Sequence, residues 1–150
     1  MTQVLIVEDG QEYSALFQRY LTEGFSFTRA GDGPEALLLL QTRAFAVIFL
    51  DMRFDRAEPS RLLGDLAATT ARFTGDEAQA RRHLEDHQGV YILAALREAG
   101  VSVPVVMSYD FDGEPRRFKH LESRYAPLSY LTDDAGPAEI RAALGRAGGG

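Results

Sequence analysis

Short apolar segments alternate with amphipathic ones through the first fifty residues. Gln3–Val7 and Phe45–Leu50 are apolar runs followed by an acidic residue, a pattern typical of buried strands in parallel sheets. Between them, Tyr13–Leu21 carries apolar residues at the spacing of one helix face. Phe25–Arg29 indicates a weaker strand, and Gly33–Leu40 a helix that opens with a proline. The first fifty residues are therefore predicted to fold in the order strand, helix, strand, helix, strand.

The same alternation returns after Gly89 and continues almost to the end of the chain. We place its elements as a helix at Val90–Ala99, a strand at Val103–Met107, a helix at Glu114–Arg124, a strand at Leu128–Leu131 and a helix at Pro137–Arg146. Such short connections require crossover helices, so the fold class is α/β, a doubly wound five-stranded parallel sheet with helices on both faces. We expect one domain over residues 1–147, with a glycine tail or linker at 148–150.

The segment from Phe54 to Gln88 does not fit this alternation, and we interpret it as an inserted helical segment. Pro59 is a candidate helix start, followed by an apolar stripe of Leu62, Leu63, Leu66 and Phe73. The stripe either covers the edge of the sheet or forms a groove for a partner. Asp76–His87 predicts a second, mostly polar helix, which either stops there or runs straight into the helix at Val90.

Two histidines of this second helix, His83 and His87, stand four residues apart. That spacing places both rings on one helix face, where a shared metal ion is one interpretation. No third ligand is evident in the sequence, and we therefore favour a solvated surface.

The amino-acid composition excludes several kinds of chemistry and binding partner. The 150 residues include no cysteine, which excludes disulfides, cysteine-bound metals and a thiol nucleophile. With 22 acidic and 16 basic residues the net charge is −6, so we expect neither nucleic acid nor an anionic membrane as a direct partner. No apolar run approaches the roughly 20 residues of a membrane helix and no signal peptide is evident, so we expect a cytoplasmic protein. Lys119 is the sole lysine.

Three carboxylates follow predicted strands. Glu8 and Asp9 come directly after the first strand, and Asp51 directly after the third. In an open parallel sheet, functional residues collect outside the carboxyl ends of the strands. Carboxylates gathered at one edge repel one another unless a cation joins them, and Mg²⁺ prefers such oxygen ligands. An aspartate beside a divalent ion is also one solution to phosphoryl transfer.

At this point the sequence resembles the receiver domains of two-component response regulators. The resemblance covers most of the chain outside 54–88, and its matching stretches are Val4–Asp9, Val47–Met52, Gly89–Arg97, Pro104–Ser108 and Ser129–Leu131. It implies a flavodoxin-like, three-layer α/β/α fold and a signalling domain that is not itself an enzyme. A histidine kinase or phosphotransfer protein would be the phosphoryl donor, and a downstream effector protein or domain the recipient of the signal. The resemblance further implies a surface for homodimers formed by the last two helices and the last strand.

The resemblance also assigns site residues. Asp51 occupies the position of the phospho-acceptor, and Glu8 and Asp9 that of the acidic pair that holds Mg²⁺. The backbone carbonyl of Arg53 would be a further ligand. Tyr130 matches the aromatic residue that changes rotamer on activation.

The sequence departs from the family at three places. Asp133 stands where the family has a lysine that pairs with the phosphoryl group, and it either caps the last helix or serves as an extra metal ligand. Tyr109 stands where the family has Thr or Ser, with Ser108 one residue earlier. The insertion adjoins the acceptor, where it could lid the site or offer a partner surface. Two functions therefore remain open, an atypical receiver phosphorylated on Asp51, and a pseudo-receiver that binds proteins without a phosphorylation switch.

Overall fold

The computed structural model of the protein describes residues 1–149. Gly150, the end of the expected glycine tail, lies outside the described residues. The strands are β1 (Thr2–Val7), β2 (Phe25–Ala30), β3 (Val47–Asp51), β4 (Val105–Ser108) and β5 (Leu128–Leu131). The helices are α1 (Glu12–Tyr20), α2 (Gly33–Thr42), α3 (Leu66–Arg72), α4 (Glu77–Asp86), α5 (Gln88–Glu98), α6 (Pro115–Tyr125) and α7 (Pro137–Ala147).

All five strands are parallel and form one sheet in the order β2-β1-β3-β4-β5. The predicted fold class, a doubly wound three-layer α/β/α arrangement, is confirmed. The fourth strand begins later than predicted, at Val105 instead of Val103. Pro104, just before it, has no N–H to donate to a neighbouring strand.

Two hydrophobic cores lie on opposite faces of the sheet. Alternate residues of each central strand point to opposite faces, so that Leu5 and Leu50 face one core and Ile6 and Phe49 the other. Side chains of α2, α5 and α6 complete the first core, and those of α1 and α7 complete the second. Burial on both faces explains why these strands are continuously apolar.

The inserted segment is helical, as the sequence predicts, and its helices are α3 and α4. A helix beginning at Pro59 is wrong, because Pro59–Arg61 forms only a 3₁₀ turn and the chain is irregular until Asp65 caps α3. Leu62 and Leu63 lie on this irregular stretch and pack against the core below α2 and α5. Of the two interpretations of the apolar stripe, that contact supports the one in which it covers the sheet.

The inserted segment is also joined firmly to the core. A continuous helix from Asp76 through Val90 is wrong, because α4 ends at Asp86 and α5 begins separately at Gln88. The buried Gln88 amide accepts a hydrogen bond from Leu63 N and donates to the carbonyls of Leu63 and Leu84. These bonds hold the irregular stretch and α4 against α5.

No helix among residues 1–149 is both long enough and apolar enough to cross a membrane.

Candidate functional site

Asp51 ends β3 at the carboxyl edge of the sheet. Its register partner on β4 is Ser108, and the preceding residue, Leu50, pairs with Val7 on β1. Asp51 lines a cavity of about 410 Å³, which we call the Asp51 crevice. The crevice is lined by Asp51, Met52, Arg53, Asp86, His87, Ser108, Tyr109 and Asp133. The strand ends, the loop after β5 and the end of α4 thus meet at one place.

The Asp51 carboxyl is in an environment that disfavours its charge. One oxygen accepts a hydrogen bond from Met52 N at 2.8 Å, which favours the ionised form. Burial acts more strongly in the opposite direction and, with the nearby charges of Asp9, Glu8 and Asp133, raises the pKa of Asp51 to about 7. The crevice therefore holds more negative charge than its surroundings neutralise.

Glu8 is buried, and its carboxylate is turned toward α1. It accepts hydrogen bonds from Tyr13 N at 3.1 Å, from Ser14 N at 2.8 Å and from the Ser14 hydroxyl at 2.7 Å. These contacts satisfy free N–H groups at the start of α1, where a negative charge also suits the helix dipole. Glu8 is thus placed to hold α1 beside the crevice, and its metal ligation stays a prediction.

Asp9 is held by an arginine that sequence reasoning missed. Arg56 N donates to one Asp9 carboxylate oxygen at 2.7 Å, and the Arg56 guanidinium lies 3.6 Å from the other. The same guanidinium donates to both oxygens of Glu12, at 2.8 and 3.0 Å. No pattern in the sequence marks Arg56, since it reaches Asp9 only through the fold of the loop after β3.

The residues present fit Mg²⁺ with a small protein ligand set. Mg²⁺ usually takes one or two carboxylates and keeps several waters, and Asp51 and Asp9 provide such a pair beside the Arg53 backbone. The charge that raises the pKa of Asp51 is also the charge that a cation would offset. Within residues 1–149, no three Asp, Glu or His side chains converge closely enough to hold a metal on their own.

Ser108, and not Tyr109, is the hydroxyl residue that lies directly beside Asp51 in the sheet. The Ser108 side chain is buried, and its hydroxyl is 2.6 Å from that of Tyr13 on α1. The Tyr109 hydroxyl instead donates to Glu114 at the start of α6. Moving one residue along a strand reverses the side chain's direction, which explains why these neighbours have different partners.

Tyr130, the predicted switch residue, is half-buried on β5. Its ring packs edge-on against Phe118 and Phe111, with ring centroids 4.7 and 5.3 Å away. Its hydroxyl donates to Asp112 at 2.7 Å. Tyr109 packs on the other side of Phe111, at 4.6 Å, so that aromatic contacts connect the crevice wall with β5.

Asp133 is exposed and lines the crevice, where its charge contributes to the raised pKa of Asp51. The interpretation of Asp133 as a cap of the last helix is wrong. Pro137 is the first residue of α7, a position that favours proline, and Gly136 is its N-cap. The Glu139 side chain reaches back to Gly136 N at 3.4 Å. A second carboxylate therefore lines the crevice with Asp51.

His87 also lines the crevice, a position that the sequence did not predict for it. It is the residue between α4 and α5, and Gly89 N, two residues later, donates to Met52 O at 2.8 Å. His87 and His83 are half-buried with ring centroids 4.5 Å apart, and within residues 1–149 they belong to no group of three residues that could hold a metal. Because the helix is interrupted between α4 and α5, His87 lies at the edge of the sheet and lines the crevice.

Comparisons with known proteins come from solved structures. The chain is similar to the receiver domain of Francisella response regulator 1452, with a TM-score of 0.66 and 19% identity over 99% of this chain and 98% of that one. An adenylate cyclase structure from Rhodopirellula baltica gives a TM-score of 0.66 and 17% identity over 98% of this chain and 87% of that one. No family model and no curated protein sequence matches the chain.

The receiver domain of the sensor histidine kinase PA1611 from Pseudomonas aeruginosa is similar as well. Its TM-score is 0.63 and its identity 17%, over 99% of this chain and 98% of that one, and that structure has a magnesium ion coordinated in its active site cleft. With their low identity, these likenesses show the fold. The chain has the fold of a response-regulator receiver domain, as the sequence predicted.

Proposed function

We propose that the protein is an atypical receiver domain that accepts a phosphoryl group on Asp51. The observation that supports this most is the position of Asp51 at the end of the central strand, in a crevice with Ser108 and with Asp9 near enough to raise its pKa. Burial of a carboxylate among other carboxylates has a stability cost, and such arrangements cluster at functional sites.

The chemistry proposed is a displacement at phosphorus. An Asp51 carboxylate oxygen attacks the phosphorus of the donor, and the bond from phosphorus to the leaving group breaks with its electron pair remaining on that group. The product is an acyl phosphate on Asp51. The deprotonated carboxylate is the nucleophile, so the reaction slows below the pKa of Asp51, which is about 7 before a cation binds.

Three groups are proposed to support this reaction. Asp51, Asp9 and the Arg53 backbone carbonyl would hold Mg²⁺, while Glu8 fixes the start of α1 beside them. When bound, Mg²⁺ supplies positive charge that offsets these carboxylates and the phosphoryl oxygens. Ser108 is the hydroxyl proposed to contact the phosphoryl group, and it exchanges its bond to Tyr13 to do so.

The proposed setting is a two-component system. A histidine kinase or phosphotransfer protein is the proposed donor, and the aromatic path from Tyr109 to Tyr130 is the proposed link to an effector that binds α6, β5 and α7. The same face is proposed for a homodimer. The protein is proposed to signal in the cytoplasm without being an enzyme.

A phosphodonor experiment tests the proposal. The protein is incubated with Mg²⁺ and acetyl phosphate or beryllofluoride, and the adduct is followed by intact mass or by ¹⁹F NMR. We expect an adduct that Asp51→Asn abolishes and that the matched variant Asp55→Asn retains, since Asp55 is exposed and pairs with Arg53. An adduct that persists in Asp51→Asn would overturn the proposal.

Two contacts favour the second function, a pseudo-receiver that binds partners without phosphorylation. Arg56 already pairs with the Asp9 carboxylate, which is then less free to bind a metal ion. Asp133 adds negative charge where a phosphoryl group would need positive charge. Under this alternative the protein forms no adduct and binds no Mg²⁺ in the experiment above, while its fold is unchanged.

A further inference from the structure

A shallow cavity of about 500 Å³ shares His87 with the Asp51 crevice. Arg72 and His83 from α3 and α4 line it, together with His87 and with Arg117 from α6. Val90, Tyr91 and Glu114 complete its wall. We call it the basic cavity, because four nitrogen-bearing side chains face one carboxylate in a protein whose net charge is −6.

The carboxylate of the basic cavity is already engaged. Glu114 accepts hydrogen bonds from the Tyr109 hydroxyl at 2.5 Å and from Arg117 at 3.2 Å. Among the residues that the structure describes, Arg72 has no salt-bridge partner. Its guanidinium is exposed and open to a ligand, and burial together with the charge of Arg72 lowers the pKa of His83.

The hydrogen bond from Arg117 fixes the state of His87. Arg117 Nη2 lies 3.0 Å from His87 Nδ1, and a guanidinium only donates hydrogen bonds. His87 Nδ1 is therefore an acceptor, and the neutral ring carries its proton on Nε2. Burial, His83 and Arg117 lower the pKa of His87, against a smaller opposing effect of Asp86 and Glu114.

These surroundings suit an anion and oppose a metal ion. A divalent cation between His83 and His87 would be repelled by Arg72 and Arg117, and within residues 1–149 no third His, Asp or Glu completes a ligand set. A dianion gains charge-assisted hydrogen bonds from the guanidinium groups and a hydrogen bond from a neutral imidazole N–H. A guanidinium presents a planar fork of N–H donors that suits the oxygens of a phosphate group.

The volume of the cavity and its apolar wall indicate what the ligand carries besides its anionic group. A volume of about 500 Å³ exceeds what a single phosphate ion needs and lies in the range of small-molecule sites. Tyr91 and Val90 give it an aromatic and apolar side next to the basic one. We propose that the basic cavity binds the phosphate group of a small phosphate monoester, with the ester's apolar or aromatic part against Tyr91 and Val90.

The three histidines of the chain provide the measurement. His83 and His87 line the cavity, whereas His120 is exposed on α6 and serves as an internal control. The imidazole resonances of the full chain are followed by NMR while phenyl phosphate or inorganic phosphate is added at constant ionic strength. We expect saturable shifts at His83 and His87, none at His120, and tighter binding of phenyl phosphate than of inorganic phosphate.

Variants make the result specific. Arg72→Ala, an exposed change with no packing role, is expected to weaken phenyl phosphate binding by about fivefold or more. Arg82→Ala removes an equally exposed charge of α4 outside the cavity and is expected to leave binding unchanged. Shifts that occur equally at His120, or that Arg72→Ala does not weaken, would overturn the site. Equal affinity for both probes would overturn its apolar part.

The site is independent of phosphorylation on Asp51. Asp51→Asn is expected to abolish the acyl phosphate adduct while leaving the histidine shifts intact. Loss of the shifts in Asp51→Asn would show that the anion binds in the Asp51 crevice, and the inference would then be wrong even if the proposed function held.

Discussion

The Asp51 crevice and the basic cavity share one wall, His87, and differ in nearly everything else. Asp51 and Asp133 line the crevice, and burial together with the nearby charges of Asp9, Glu8 and Asp133 raises the pKa of Asp51. The cavity gathers arginine and histidine from the helices around it. The Asp51 crevice thus carries unneutralised negative charge, and the basic cavity carries arginine side chains from α3 and α6. The negative groups and the positive groups therefore line separate cavities, and we expect a ligand of opposite charge to bind in each.

The largest effect we expect comes from neutralising the crevice. The native pKa of Asp51 is about 7 against an ordinary value of 3.8, so the folded state binds a proton more tightly and its stability falls as pH rises from about 4 to 7. Asp51→Asn removes the titrating carboxyl, so the variant does not lose stability over this pH range. The variant should be more stable than the parent by about 3 kcal/mol above pH 7 and little changed near pH 4.

Urea unfolding at several pH values checks this expectation. Asp55→Asn, an exposed carboxylate on the same loop, is the control and should change stability little at any pH. An Asp51→Asn variant whose advantage is the same at pH 4 and pH 8 would show that the crevice holds no excess negative charge.

The next effect concerns the junction between the two regions. Gly89 lies where α5 meets the acceptor strand, and a Cβ there would be 2.5 Å from Asp51 O and 2.8 Å from Met52 Cα. Because both contacts are backbone, Gly89→Ala should destabilise the fold by about 2 kcal/mol. Gly145→Ala, in the open part of α7, should stabilise it by about 0.5 kcal/mol. Thermal unfolding of both variants measures the difference, and equal behaviour would contradict this packing.

The smallest effect concerns Arg56, which pairs with Asp9 beside the crevice. Arg56 bonds to Asp9 and Glu12, so Arg56→Ala should release Asp9 and tighten Mg²⁺ binding by about two- to fivefold. Arg61→Ala, whose partner is Asp32, is the matched control and should leave affinity unchanged. Isothermal titration with Mg²⁺ gives both affinities. Weaker binding in Arg56→Ala would mean that Arg56 supports the site instead of competing for it.

The two regions also differ in how far the sequence predicts them. The strands and their acidic ends could be predicted because each is a local pattern: an apolar run, its length and the residue that follows it. Parallel pairing then brings Asp51, Glu8 and Asp9 to one edge with no further information. The Glu8 contacts to α1 could not be predicted, since they depend on where the helix begins relative to the strand.

In the inserted segment the polar helix could be predicted, but its contacts with the rest of the fold could not. His87 reaches the crevice because α4 stops at Asp86 and Gly89 packs on the acceptor strand, and a break between two helix-forming stretches leaves little local signal. Arg56 reaches Asp9 through an irregular loop. The choice between Ser108 and Tyr109 rested on a one-residue strand register, which only pairing with β3 decides.

The mass of the protein after incubation with acetyl phosphate and Mg²⁺ tests directly whether Asp51 accepts a phosphoryl group. We expect one added phosphoryl group that is lost in Asp51→Asn, retained in Asp55→Asn and dependent on Mg²⁺. A parent protein that gains no phosphoryl group, with Mg²⁺ present and its fold intact, would contradict the account and favour the pseudo-receiver.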